Sequence, residues 1–192
     1  MKAYKDIPIF PLKSIILPGG QFPLRIFERR YLDMTRDCLK NNDGFIIALT
    51  KRDSDYISSV YDYASYVEIV DWSQLDGGLL GITVEGKQIV KLSNCNLDEC
   101  NLLKGDAEEV EYGVDYLVPQ KYQILSKFYK KIYPEIKAYI FHIKPKYNDA
   151  NWLGFRLIEC LPIELNDKAD LISMQEPFCL LYTSPSPRDR SL

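Results

Sequence analysis

The chain has 192 residues, 46% of them hydrophobic and 27% charged, which is the composition of a globular protein with material for one sizeable core or two small ones. A net charge of -3 supplies no bulk positive field to hold phosphate backbones, and no run approaches the ~20 apolar residues needed to cross a bilayer. With no apolar leader and with five unevenly spaced cysteines (Cys38, Cys95, Cys100, Cys160, Cys179), a soluble cytoplasmic protein with free thiols is expected.

Apolar residues recur with the period of strands over the first ~115 residues and with the period of helices after them, which predicts an α+β protein. "DIPIFPL" reads as a short strand whose Pro8 and Pro11 suit an edge or a corner. The Pro18-Gly19-Gly20 stretch reads as a tight turn, because the next residues, "QFPLRIFE", alternate Phe22, Leu24 and Ile26 against Pro23, Arg25 and Phe27 as a half-buried strand does. From Tyr31 the spacing changes to that of one helix face, through Leu32, Met34, Thr35, Cys38 and Leu39, and the cluster Asn41-Asn42-Asp43-Gly44 ends it.

"GFIIALT" is a continuous apolar strand, "KRDSDYISSVYD" a polar loop and "YASYVEIVDW" a further strand before the turn "SQLDGG". "LLGITVEG" and "KQIVKL" are predicted to be two strands joined tightly at Glu85-Gly86-Lys87, and "NLLKGDAEEVEY" one more with an acidic, solvated edge. Short strands with few long crossovers predict a strongly bent antiparallel sheet or half-open barrel.

After Pro119, placed for a first turn, a helical stretch runs to a kink or break at Pro134. A second helix starts at Asn148 or Asp149 and a third behind a cap at Asn166 or Asp167. The expected divisions are 1–118 for the β-rich part, 119–177 for a helical subdomain packed on it, and 178–192 for a disordered tail. That tail, with Pro185, Pro187 and alternating serines, resembles translated sequencing-adapter read-through and is set aside as a sequence artefact.

No set of residues suggests catalysis. Gly81, Gly86 and Lys87 fit the G-x-x-x-x-G-K part of a phosphate-binding loop, but Gln88 replaces the magnesium-holding hydroxyl, and Ile82, Thr83 and Val84 favour extended backbone. His142 has no second histidine with which to share a metal or relay a proton, and Cys95 and Cys100 lack zinc or redox spacing. Glu108, Glu109 and Glu111 read as a solvated strand edge rather than an acid/base pair. No metal and no cofactor are expected. Arg25, Arg29 and Arg30, with Lys13 nearby, form the best positive patch; they either pair with Glu28 and Asp33 or contact a polypeptide or phosphates.

The stretch "IPIFPLKSIILPGGQFPLRIFERRYLDMTRDCL" resembles the opening of the Lon protease N-terminal domain family. Its marks are Phe10-Pro11-Leu12, Pro18-Gly19-Gly20, Pro23 through Glu28, and Arg30-Tyr31; "GLLGITVEGKQ" and "WLGFRLIECLPIELNDKADLI" resemble the family's central hairpin and last helices. The resemblance implies a PUA-like half-open barrel followed by helices. It also implies recognition of unfolded or tagged polypeptides, with the ATPase and Ser-Lys peptidase centres in other domains, so that this chain looks like a stand-alone, non-catalytic member.

On that basis the expected partners are unfolded or tagged polypeptides and a protease or ATPase that an adaptor would serve. A membrane is not expected. The polypeptide is expected at Phe22, Leu24, Arg25, Phe27 and Tyr31, with Trp72 as a groove wall, against the competing reading that each of these is core. The alternative function is RNA binding by the PUA-like barrel through the arginines and a stacked tyrosine, which the acidic total charge disfavours.

Overall fold

The computed structural model describes residues 1–51, 59–112, 116–136 and 145–174. Its strands are β1 (Ala3–Leu12), β2 (Gln21–Ile26), β3 (Phe45–Leu49), β4 (Tyr63–Gln74), β5 (Leu80–Leu97) and β6 (Leu103–Glu109). They join in the order β2-β5-β4-β3-β1-β6, and β6 returns to pair with β5, which closes five of the six into a ring. β5 makes this possible by changing partner along its length. Its first part, from Leu80 to Glu85, pairs with β2, its last part, from Val90 to Leu97, pairs with β6, and β4 lies along its other side.

Alternation decides which core each side chain enters. Ile46 and Ala48 of β3 face the inside of the ring with Ile9, Val90, Leu103 and Ala107, whereas Phe45 and Ile47 face the other way, toward Leu24, Met34 and Val84. That second core is covered by α1 (Arg29–Asn41), which ends at Asn42 in the left-handed conformation expected of the Asn/Gly cluster.

Three expectations change. β1 is not an edge strand. It pairs with β6 through Ile9 and with β3 from Ile9 onward, so Pro8 and Pro11 each sit where one side of the strand is unpaired, and a missing N–H costs little there. The β1–β3 pair is parallel, with α1 lying between the two strands in sequence, so the sheet is antiparallel everywhere else but not throughout. And Glu85-Gly86-Lys87 is no hairpin: β5 runs straight through it, with the β4 register slipping between Tyr66 and Val67 as a bulge opposite Lys87. Gly86 is needed for close approach rather than for turning. A Cβ there would lie 2.5 Å from the carbonyl oxygen of Leu17.

β6 is likewise paired on both sides, so its glutamates are not an open edge; Glu109 accepts hydrogen bonds from the Lys2 N–H and the Tyr4 hydroxyl. The described helices after the ring are α2 (Gln123–Ile136), which contains Pro134, α3 (Ala150–Cys160) and α4 (Leu165–Ser173). Pro119 precedes a short 3-10 turn that leads into α2, and Asp149 caps α3 by accepting from the Trp152 N–H at 3.0 Å. α4 begins earlier than expected, with Glu164 rather than Asn166 or Asp167 at its N-cap. Most of the polar loop around 52–58, His142, Cys179 and the tail 178–192 fall outside the described residues.

The helices that follow the ring grip it through a buried clamp. Pro18 and Gly19 (φ 75°) form a turn closed by the Gly20 N–H on the Leu17 carbonyl, at 2.8 Å. Gly19 and Gly20 exchange further hydrogen bonds with Gly86 of β5, each 2.8 Å long. Arg156 of α3, fully buried, donates through Nη2 to the carbonyls of Leu17 (3.1 Å) and Pro18 (3.2 Å) and to Oε1 of Glu159 (2.9 Å). The same Oε1 accepts the Leu17 N–H at 2.7 Å. Around this clamp Leu17, Ile89, Phe155, Ile158 and Ile172 make one apolar cluster shared by ring and helices.

Burial pushes the Glu159 carboxyl up to about 7, against the pull of Arg156 and the Leu17 N–H. The folded chain therefore holds this proton more tightly than the unfolded chain, and stability falls as pH rises from about 5 to about 7, then levels off. Urea unfolding across that range is expected to show this slope in the wild-type chain and to lose most of it in Glu159→Gln; an unchanged slope in the variant would assign the dependence elsewhere. Gly86→Ala, which drives a methyl into the Leu17 backbone, is expected to cost about 1–3 kcal/mol in the same assay.

Candidate functional site

β2, the first part of β5 and the second part of β4 run beyond the ring as a three-stranded flap. β3 pairs with β4 only opposite Ser65, Tyr66 and Val67, so residues 68–74 of β4 have β5 on one side and no described strand on the other. The outer side of β2 also has no described strand beside it, and Pro23 stands in it as a residue that blunts further strand pairing. The tip is the turn at Asp76-Gly77-Gly78, where both glycines take positive φ (76° and 79°).

Opposed residues in antiparallel strands share a face. The rows Phe22–Val84–Ile69 and Leu24–Ile82–Trp72 therefore line the inner face of the flap, with a bulge at Val70 between them. Leu24, Ile82 and Val84 are buried against α1, Phe22 and Ile69 are half-buried, and Trp72, at the far end, is 62% exposed. Arg25 and Phe27 alternate to the outer side, where Phe27 is 69% exposed.

The six expected contact residues thus do not gather into one patch. Leu24 and Tyr31 belong to the core. Tyr31 packs on the Phe10 ring at 4.4 Å and under the Arg30 guanidinium at 4.7 Å, and burial raises its phenol while Arg30 lowers it. Phe22 is a half-buried support, Trp72 stands at the inner lip, and Arg25 and Phe27 stand outside. Val70 and Leu79, exposed on the same projecting hairpin, were missed; the Asp76-Gly77-Gly78 turn was the signal that could have placed them at a tip.

The arginine patch is largely neutralised. Arg29 pairs with Asp33 at 2.9 Å, Arg30 with Glu28 and with the Asn101 carbonyl at 2.7 Å, and Arg36 with Asp33 at 3.1 Å. Arg25 is left without a hydrogen bond or ion pair among the described residues, which leaves one open guanidinium rather than a phosphate-binding row. Lys87, the lysine of the loop-like motif, is held in strand β5 by Glu85 (2.8 Å) and Glu68 (3.7 Å).

Cys38 is a poor nucleophile, since burial pushes its thiol up to about 11, and Cys95 and Cys160 are raised for the same first reason. Among the described residues no group of three His, Cys, Asp or Glu converges to hold a metal ion, and no helix is long and apolar enough to cross a membrane. What the flap offers is surface: apolar side chains, and, among the described residues, one free cation and strand edges without a partner strand.

Comparison with known proteins gives the same fold. The model of the ATP-dependent protease La (LON) substrate-binding domain family matches residues 6–184. Among solved structures, a Lon N-terminal domain protein from Xanthomonas campestris is 25% identical, with 95% of this chain and 96% of that one covered and a TM-score of 0.77. The N-terminal domain of Mycobacterium avium complex Lon protease is 16% identical over 94% of this chain and 95% of that one, with a TM-score of 0.63. The comparison with curated proteins gives no match.

Burial separates support from surface in a way that denaturation can read. Leu24→Ala is expected to cost about 2–5 kcal/mol, and Trp72→Ala or Phe27→Ala less than about 1 kcal/mol. A large loss for Trp72→Ala would show that its ring is packed rather than presented.

Proposed function

We propose a function for a chain that belongs to the ATP-dependent protease La (LON) substrate-binding domain family: it is a polypeptide-binding module that holds unfolded or exposed segments on the flap, and it serves as a recognition module linked to ATP-dependent proteolysis. The observation that carries the site assignment is the flap itself, which ends in exposed Trp72 and Phe27 and has no described strand along the edges of β2 and residues 68–74. An unfolded chain carries free backbone donors and acceptors together with scattered apolar side chains. A free strand edge satisfies the first, and lone aromatic side chains take up the second without demanding a sequence.

Of the six residues expected from the sequence, the three exposed ones are assigned contacts on two separate sides of the flap: Trp72 as an apolar anchor along the β4 edge, and Phe27 as an anchor with Arg25 as a donor to backbone carbonyls or acidic side chains along β2. Phe22, Leu24 and Tyr31 hold the flap in shape from beneath. The module needs no catalytic group of its own, and burial raises the Cys38 thiol rather than activating it. The pairing of Arg29 and Arg30 with carboxylates weighs against the RNA reading.

Anisotropy of labelled unfolded casein tests this. The wild-type chain is expected to bind, and a Phe27→Ala, Trp72→Ala double variant to bind at least about tenfold more weakly, in line with loss of two aromatic anchors. Unchanged binding by the folded double variant would remove the flap as the site. Tight, salt-sensitive binding of single-stranded RNA instead would restore the nucleic-acid reading.

A further inference from the structure

A second surface, away from the flap, has its own chemistry. Two cavities of about 480 Å³ and 300 Å³ lie between α2 and the turn that leads into α3, and they share Leu117, Lys130 and Asn148, so they form one continuous groove. Leu117, 79% exposed, stands at the junction. Lys127 and Lys130 line the groove from α2 and Lys146 lines it from the turn, and among the described residues none of the three has an ion pair.

The groove is built rather than accidental. The Ser126 hydroxyl, buried in α2, donates to the Tyr147 carbonyl at 2.9 Å and ties helix to turn, and the Tyr147 ring carries the Lys130 ammonium 4.9 Å from its centre. The one carboxylate among the lining residues, that of Asp149, is engaged in capping α3.

We propose that this groove binds an acidic, extended segment of polypeptide that places an apolar side chain against Leu117 and its carboxylates on Lys127, Lys130 and Lys146. Three lysines against one carboxylate among the described lining residues, in a chain of net charge -3, make a local positive field inside an acidic protein. A short segment feels that local field, because charges beyond a Debye length of about 8–10 Å are screened. A long polyanion would also meet the acidic remainder. The groove goes beyond the flap reading and is independent of it: the flap accepts chains by exposed backbone and apolar content, the groove by negative charge.

The test uses the full chain and a short fluorescein-labelled peptide rich in Glu around a central Leu-Phe pair, compared with the same peptide carrying Gln for every Glu. Expected are binding of the Glu peptide that weakens with salt and at least a ~10-fold loss in a Lys127→Glu, Lys130→Glu, Lys146→Glu variant whose thermal midpoint is unchanged. Should that variant misfold, the three Lys→Gln changes replace it and carry the same expectation. Trp72→Ala is expected to leave Glu-peptide binding intact while weakening casein, so failure at the flap and failure at the groove are told apart. Equal binding of the Gln peptide, or full affinity in the lysine variants, overturns the proposal. So does lysine-dependent binding to phosphatidylserine-containing vesicles in preference to the peptide, which would make the groove a membrane contact.

Discussion

The whole arrangement depends on one buried contact, in which Arg156 and Glu159 of α3 close on the backbone of the Leu17-Pro18-Gly19-Gly20 turn. The turn is itself hydrogen-bonded to Gly86 of β5. Three stretches distant in sequence therefore meet at a point where neither Gly20 nor Gly86 has room for a Cβ, since one at Gly20 would lie 2.5 Å from the Glu159 carboxylate. Burying an ion pair is a weak source of stability, and Arg156 keeps Nε and Nη1 without partners. Its value lies in register. An apolar pair would hold the helices against the ring but would not fix where along β5 the turn must sit.

Fixing β5 there has a consequence at a distance. A strand of 18 residues pinned near its middle by the turn at Gly86 is free to serve two partners, β6 behind the pin and β2 in front of it. Behind the pin the sheet closes into a ring; in front of it the sheet stays open as the flap. The half-open barrel is thus a result of one strand being longer than the ring requires. The same extension leaves the edges of β2 and of residues 68–74 without a partner among the described strands, an arrangement that invites added strands unless it is blunted. Pro23 and the charge of Arg25 blunt β2, whereas residues 70–74 carry Val70 and Trp72 exposed.

Much of the fold was legible because it is written in short-range signals. The strand period at residues 22–27, the helix face from Tyr31 to Cys38, the Asn42 terminus and the Asp149 cap all depend on neighbours within a turn or two. What was not legible depends on partners far away. Gly86 between Glu85 and Lys87 reads as a turn by local chemistry, and only the Leu17 carbonyl pressing on it from 69 residues away explains a glycine inside a straight strand. Pro8 and Pro11 imply an edge unless two different neighbours are known to relieve each other at Ile9. Likewise the period of two told which residues of β2 share a face but not which face α1 would cover, so Leu24 and Tyr31 were as eligible for a ligand as Phe27. Trp72 shares its face with Leu24 and Ile82 but is not part of the core they make with α1, and the sequence does not contain the point along the flap at which that packing ends.

That polypeptide is held at the open flap of a barrel closed behind Gly86 is tested most directly by amide hydrogen exchange of the full chain with and without unfolded casein. Slowed exchange is predicted in residues 21–27 and 68–74, whose backbone groups gain a partner, with the ring strands unchanged. Protection that bypasses both edges, or that spreads evenly through the ring and α3 as a general stabilisation, would contradict it.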